Sequence, residues 1–325
     1  MNILITGATG FIGGHLVETL AAKPGVRVHA LVRDPKKAPH LQEIPGICFH
    51  RGDILDPPPL PPDLDGVFHL AGLTKALKTE DYYTVNRKGT ARLFTALAGL
   101  PARPRIVLLS SLAAGGPSLP DGSPRKESDP PKPVSPYGKS KLESEEVALD
   151  HASMFPLAIL RVGAVYGPRD EDFLKYFRIV NRGIIPCYGR RARLLSLCLV
   201  DDLVTALDLA FQTDLPSGEI FNIASPDPVT WDEIGETASR ILGRTCRHLR
   251  LPRAGVHLAA ALSEALSRIT GRRDALNRSK IRDMSQPGWV ADVSKAERLL
   301  GFRTAWSLQA GLEKTLRWYR KNNLL

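Results

Sequence analysis

At 325 residues, with 43% hydrophobic and 24% charged content, the chain has the make-up of ordinary globular protein and material for one large domain or two moderate ones. That balance excludes fibrous and disordered classes, and no unbroken apolar stretch reaches membrane-spanning length. The formal net charge of +10 is unevenly placed: from Arg244 to Arg282 ten Lys/Arg stand against only Glu264 and Asp274, which suits a solvated face or an anionic substrate, partner or lipid surface, and no nucleic-acid motif accompanies it.

The N-terminus "MNILITGATG" has no basic leader and its apolar run stops at Gly7, so no signal peptide is expected and a cytoplasmic location is. The first predicted strand, "NILIT", runs into "TGATGFIG", which spaces Gly7, Gly10 and Gly13 as G-x-x-G-x-x-G ahead of a helix predicted over 12–23. Glycines there serve a tight turn, close backbone approach to a pyrophosphate and close helix packing, while the helix N-terminus favours negative charge. A dinucleotide site follows. The second strand, "VRVHALV", ends where NAD-binding units carry an acidic residue for the ribose 2′-hydroxyl; Val32 stands there, followed by Arg33, with Lys36 and Lys37 close behind. A guanidinium matches a 2′-phosphate, so NADP(H) is preferred, with NAD(H) left open by the nearby Asp34.

The runs "ICFH", "GVFHLA", "RIVLLS" and "LAILRV" continue the strands, separated by helical patterns over roughly 81–99 and 136–152. Their continuous Val/Ile/Leu content is that of strands buried on both faces, so the expected fold is α/β, a doubly wound parallel sheet of Rossmann type. Two Pro/Gly-rich stretches, "LDPPPLPPDLDG" and "GGPSLPDGSPRKESDPPKPVSP", read as surface loops, and long loops of this kind often act as lids. The second leads into "SPYGKSK", where Ser135 can cap, Pro136 suits the first helical position, and Tyr137 and Lys141 share a helix face.

Beyond Pro168 helices dominate, with short strands such as "GEIFNIA" at 218–224. The expected division is therefore a nucleotide-binding domain over 1–166, joined by a return strand near 218–224, and a smaller, mostly helical substrate lobe over 167–325. In that lobe Leu258, Leu262, Leu266 and Ile269 form a stripe at helical spacing that reads as a core face. Cys48, Cys187, Cys198 and Cys246 lie far apart without ligand spacing, so neither a metal site nor a disulfide framework is expected.

Taken together, the glycine loop, "GDIL", "HLAG", "VNRKGT", "LLSSLAA", "YGKSK", "LRVGAVYGPRD", "VDDL", "FNIA" and "DVSKAERLLGF" resemble the extended short-chain dehydrogenase/reductase superfamily, the NAD-dependent epimerase/dehydratase family, over nearly the whole chain. The resemblance implies cofactor contacts from Gly7, Thr9, Gly10, Phe11, Ile12, Gly13, Arg33, Asp53, Ile54, Leu70, Ala71, Gly72, Asn86 and Val165. It implies Tyr137 as general acid/base, Lys141 lowering its pKa and holding the nicotinamide ribose, and Ser111 orienting the substrate oxygen. An unassisted tyrosine, with a pKa of about 10, is a poor base at neutral pH, and a nearby ammonium favours the phenolate.

Departures from the family narrow the activity. Where its dehydratases carry an Asp-Glu pair, Leu112 and Ala113 stand; where many epimerases carry an asparagine and an arginine, Ala164 and Leu195 stand, with Arg190, Arg191 and Arg193 nearby. Gly115 replaces the tyrosine of the serine motif. The motif set is similar to the branch of dihydroflavonol reductases and 3β-hydroxysteroid dehydrogenases. This implies an NADP(H)-dependent carbonyl reductase or alcohol dehydrogenase acting on a small, possibly anionic molecule. The alternatives are a sugar-nucleotide epimerase that retains NAD, or a non-catalytic nucleotide-binding scaffold. The family often forms dimers, so a homodimer is a further expectation.

Overall fold

In a computed structural model of the chain, which describes residues 1–37, 39–188, 192–252, 255, 282–283 and 285–325, seven parallel strands form one sheet. In chain order these are β1 (Asn2–Thr6), β2 (Arg27–Val32), β3 (Ile47–Arg51), β4 (Gly66–His69), β5 (Arg105–Ser111), β6 (Leu157–Val162) and, far downstream, Glu219–Ile223. Their spatial order is Glu219–Ile223, β6, β5, β4, β1, β2, β3, a doubly wound arrangement whose direction reverses between β1 and β4. Ligands of such sheets bind beyond the carboxyl ends of the strands at that reversal.

The apolar runs make strands because both faces are covered. Ile3 and Ile5 enter one core layer with Val17, Leu203 and Leu207, while Leu4 enters the other with Phe94 and Leu97. The sheet is covered by α1 (Phe11–Ala21), α2 (Pro39–Gln42), α4 (Gly89–Ala98), α6 (Pro136–Leu149), α8 (Val200–Gln212) and the later helix Ser294–Leu300, with α3 (Thr79–Tyr82) and α5 (Leu112–Gly115) packed on α6, while α7 (Glu171–Asn181) and α9 (Trp231–Leu242) belong to the C-terminal part. α6 starts as its sequence dictates: Ser135 Oγ accepts from Gly138 N at 3.1 Å with Pro136 in the first turn.

The helix expected over 81–99 is interrupted. Tyr83–Lys88 forms a π-turn between α3 and α4. Periodicity alone does not reveal the widened turn, and such turns cluster at functional sites.

The C-terminal part adds β7 (Ala164–Tyr166), β8 (Ile184–Tyr188), β9 (Leu194–Leu195) and β10 (Leu197–Leu199). Counting Glu219–Ile223 as β11, β12 (Val229–Thr230) and β13 (Arg247–Leu251) follow. β7 pairs with β10, β9 with β12 and β8 with β13. A third core gathers Phe173, Phe177, Ile234, Leu312 and Tyr319 around them.

The long loop 116–135 is clasped to the C-terminal part of the chain. Arg125, 7% exposed, donates to the carbonyls of Pro117 (2.8 Å) and Pro130 (3.1 Å), and the loop bonds the 288–292 segment through Ser118 N to Gly288 O and Arg125 N to Val290 O, both 3.0 Å. The Leu258, Leu262, Leu266 and Ile269 stripe lies outside the described residues. So do Arg190, Arg191 and six of the clustered basic residues, Arg253, Arg268, Arg272, Arg273, Arg278 and Lys280.

Candidate active site

A groove crosses the carboxyl ends of β1, β2, β4, β5 and β6. One half is lined by Gly7, Thr9, Gly10, Arg33, Asp53 and Ile54, together with Leu70, Ala71 and Gly72. The other is lined by Phe11, Ile12, Gly13, Ser111, Tyr137 and Lys141, with Val165 beyond. The fold thus brings residues from seven separate motifs to one surface.

The glycine loop is built for close approach. Gly7 adopts φ +73°, and a Cβ on it would meet Ala71 N at 2.8 Å. A Cβ on Gly13 would meet Gly7 O at 2.1 Å, so helix α1 reaches this close to β1 only with hydrogen there. A cradle of bare backbone at a helix N-terminus fits a pyrophosphate.

At the far end Arg33 and Asp53 flank the groove 4.0 Å apart, both substantially exposed. Asp34 accepts instead from Lys36 N at 3.1 Å, turning its carboxylate into the short turn that follows β2.

Under the groove floor a buried polar chain ties the strands to the helices. Thr6 Oγ1 and Thr90 Oγ1 bracket His69 at 2.7 and 2.9 Å, and Thr90 contacts Ser144 at 2.9 Å. Burial first, then the Lys141 charge, holds His69 down at about 3, so the ring is neutral. Asn86, on the π-turn, accepts from Leu73 N at 2.6 Å and donates to Leu73 O at 3.1 Å and Ser140 Oγ at 2.8 Å. Its amide is taken up by protein, so it shapes the Gly72–Leu73 wall from behind. "HLAG" gave no hint of the part His69 plays, because a lone histidine in an apolar run reads as core.

Ser110 and Ser111, adjacent at the end of β5, face opposite ways. Ser110 is buried and donates to Glu145 on α6. Ser111 lines the groove beside Tyr137, its hydroxyl accepting from Ala113 N at 3.2 Å. Burial raises the Tyr137 phenol to about 12, with Ser111 opposing the rise and Asp283 and Tyr82 adding to it. Lys141 is 5% exposed; its ammonium donates to Leu109 O at 2.7 Å, and burial lowers it to about 8. In this state the phenol is a proton donor.

A cavity of about 460 Å³ opens from Ser111 and Tyr137 toward the C-terminal strands. Leu112, Ala113, Ala164 and Leu195, the four positions at which the sequence departs from charged or amide residues, all line it. Trp231 and Trp289 extend the apolar wall, and Arg193, Arg250, Asp232 and Asp283 supply the charge. Asp283 places Oδ1 in the interior without a hydrogen bond, and burial raises its carboxyl to about 6. Sequence reading missed Asp283 and the tryptophans, since the clasp between the 116–135 loop and the 288–292 segment brings Trp289 and Asp283 to the cavity, and the pairing of β12 with β9 brings Trp231.

Residues 3–224 match the model of the NAD dependent epimerase/dehydratase family. The chain is 31% identical over 324 residues to a "Ceramide reductase" of Caulobacter vibrioides, covering 98% of this chain and 94% of that one. It is 25% identical over 338 residues to a UDP-glucose 4-epimerase of Vibrio cholerae, covering 99% and 96%. Its fold resembles that of the UDP-glucuronic acid 4-epimerase of Bacillus cereus in complex with UDP-glucuronic acid and NAD, at a TM-score of 0.79, 23% identity and coverage of 99% and 100%.

Proposed function

Because the chain belongs to the NAD dependent epimerase/dehydratase family, we propose that it is a nicotinamide-dependent oxidoreductase that reduces a carbonyl on a substrate with a large apolar body. The observation that carries this reading is the cavity wall. Leu112, Ala113, Ala164 and Leu195 meet the substrate side of Ser111 and Tyr137 without an acid pair for dehydration or an amide for a diphosphate. The relative named for ceramide reduction supports the same substrate character.

The glycine cradle, Asp53, Ile54 and Lys141 would hold the cofactor, which when bound supplies the hydride. Ser111 orients the substrate oxygen. Tyr137, protonated at neutral pH, gives its phenolic proton to the oxygen as negative charge develops there, the form that reduction needs. NADP(H) is the preferred cofactor in this reading, on the ground that Arg33 lines the groove and the Asp34 carboxylate is engaged in its own turn.

The test is cofactor consumption across a panel of alkyl and aryl carbonyls with NADPH and with NADH. Expected are turnover of apolar carbonyls, a loss of 10²-fold or more, on the order of a missing general acid, in Tyr137→Phe, and a shift of preference toward NADH in Arg33→Ala. No consumption with any carbonyl would overturn the reading. A second reading, epimerisation of a sugar nucleotide, is favoured by Arg193 and Arg250 on the cavity wall. Co-purifying NAD with interconversion of UDP-sugars would establish it instead.

A further inference from the structure

The cysteine spacing in the chain gives no sign of a metal site, yet the C-terminal strands bring three ligand types together on the cavity wall. Cys187 on β8, Asp232 in the first turn of α9 and His248 on β13 converge. Cys187 Sγ lies 2.7 Å from Asp232 Oδ1 and 3.6 Å from His248 Nδ1, and His248 Nδ1 lies 3.7 Å from Asp232 Oδ1. The other ring nitrogen, Nε2, stands 3.4 Å from Glu236 Oε1, one helical turn beyond Asp232.

We propose that Cys187, Asp232 and His248 bind a single zinc ion, with Glu236 orienting the histidine from behind. The donor set is a borderline-soft one of sulfur, nitrogen and oxygen, which suits zinc better than magnesium or calcium. Around a tetrahedral zinc such donors sit about 3.3–3.6 Å apart. The sulfur–nitrogen and nitrogen–oxygen separations are already close to that, and the sulfur–oxygen pair needs to open by roughly 0.8 Å on the same geometry. A carboxylate on the far nitrogen of a ligating histidine is the partner that fixes its tautomer and ring orientation.

The scaffold holds the ligands in register. β8 and β13 are parallel neighbours, and α9 begins with a capping box in which Thr230 N donates to Glu233 Oε2 at 2.7 Å and Glu233 N donates to Thr230 Oγ1 at 3.1 Å. Cys187 is 8% exposed, whereas the side chains of Asp232 and His248 are 34% and 37% exposed, which leaves a path for the ion. Arg250, the strand partner of Cys187, brings an opposing positive charge to the same wall. The thiolate and two carboxylates outweigh it, and binding releases the thiol proton. Cys187 and Asp232 both line the cavity, so a fourth coordination position faces the space where substrate would lie. Three protein ligands with one open position are the pattern of a zinc that takes water or a substrate oxygen.

The test is a cobalt titration of the metal-stripped protein, read as thiolate-to-cobalt charge-transfer absorption and tetrahedral ligand-field intensity, with zinc competing. This needs neither substrate nor nucleotide, so it stands apart from the reductase reading. One equivalent per chain is expected, displaced by zinc, lost in Cys187→Ser and His248→Ala and retained in Cys246→Ser. Glu236→Gln, on the exposed face of α9, should weaken binding about 10-fold without disturbing the fold. The absence of a charge-transfer band in folded wild-type protein, or a band that persists in Cys187→Ser, overturns the proposal.

Discussion

Arg161 on β6 and Glu145 on α6 form a two-point ion pair in the interior, with Nε 3.0 Å from Oε1 and Nη2 2.7 Å from Oε2, the side chains 5% and 2% exposed. Ser110 adds its hydroxyl to the same carboxylate. This pair anchors the helix that carries Tyr137 and Lys141 against the two strands whose ends form the cavity.

Removing one member leaves a buried charge unpaired, a loss of about 3–5 kcal/mol. Glu145→Ala should therefore lower the midpoint of chemical unfolding sharply. A change below about 1 kcal/mol would show that the pair is not buried in solution.

Gly10 and Gly13 of the cradle should respond unequally. A Cβ at Gly13 lands 2.1 Å from Gly7 O, whereas one at Gly10 lands 3.2 Å from the same oxygen. Gly13→Ala should abolish nucleotide binding or folding, and Gly10→Ala should weaken binding only moderately. Calorimetric titration with NADPH and NADH compares them, and equal effects would refute a steric cause.

Lys141 costs stability where it serves the site. Its folded pKa, about 8, lies below its ordinary 10.5, so unfolding takes up a proton between those values and the wild type gains stability as pH rises from about 8 to 10.5. A shift of that size is worth roughly 3 kcal/mol, part of it offset when Leu109 O loses its donor. Lys141→Met should be inactive yet melt higher at pH 7, with the gap closing toward pH 10.5. A variant that melts lower at pH 7 and stays lower at high pH would contradict the burial argument.

Asp283 has the opposite sign. Its folded pKa, about 6, lies above its ordinary 3.8, so the wild type loses stability as pH rises from about 4 to 6 and keeps that loss above it. Asp283→Asn should match the wild type near pH 4 and melt higher at pH 7. By removing a negative charge that raises Tyr137, it should also move the alkaline limb of the activity profile to lower pH. Melting curves that run parallel at all pH values would sink both expectations.

What the sequence determined by itself was the part of the protein governed by local rules. Continuous apolar runs of strand length, a glycine triplet between strand and helix, and a capped helix start bearing Tyr137 and Lys141 are read within short windows, and they specify the parallel sheet and its groove. The structure decided what depends on distant segments meeting. Ser110 and Ser111 are adjacent hydroxyls, and only the packing of α6 turns one to Glu145 and the other to Tyr137. The loop 116–135 is clasped to the 288–292 segment, which puts Trp289 and Asp283 on the cavity. Asp232 and His248 lie 45 and 61 residues beyond Cys187 in the chain and meet it because β8 and β13 pair in parallel beside α9. No spacing rule reaches that far, since such contacts are fixed by the burial of whole elements rather than by the residues between them.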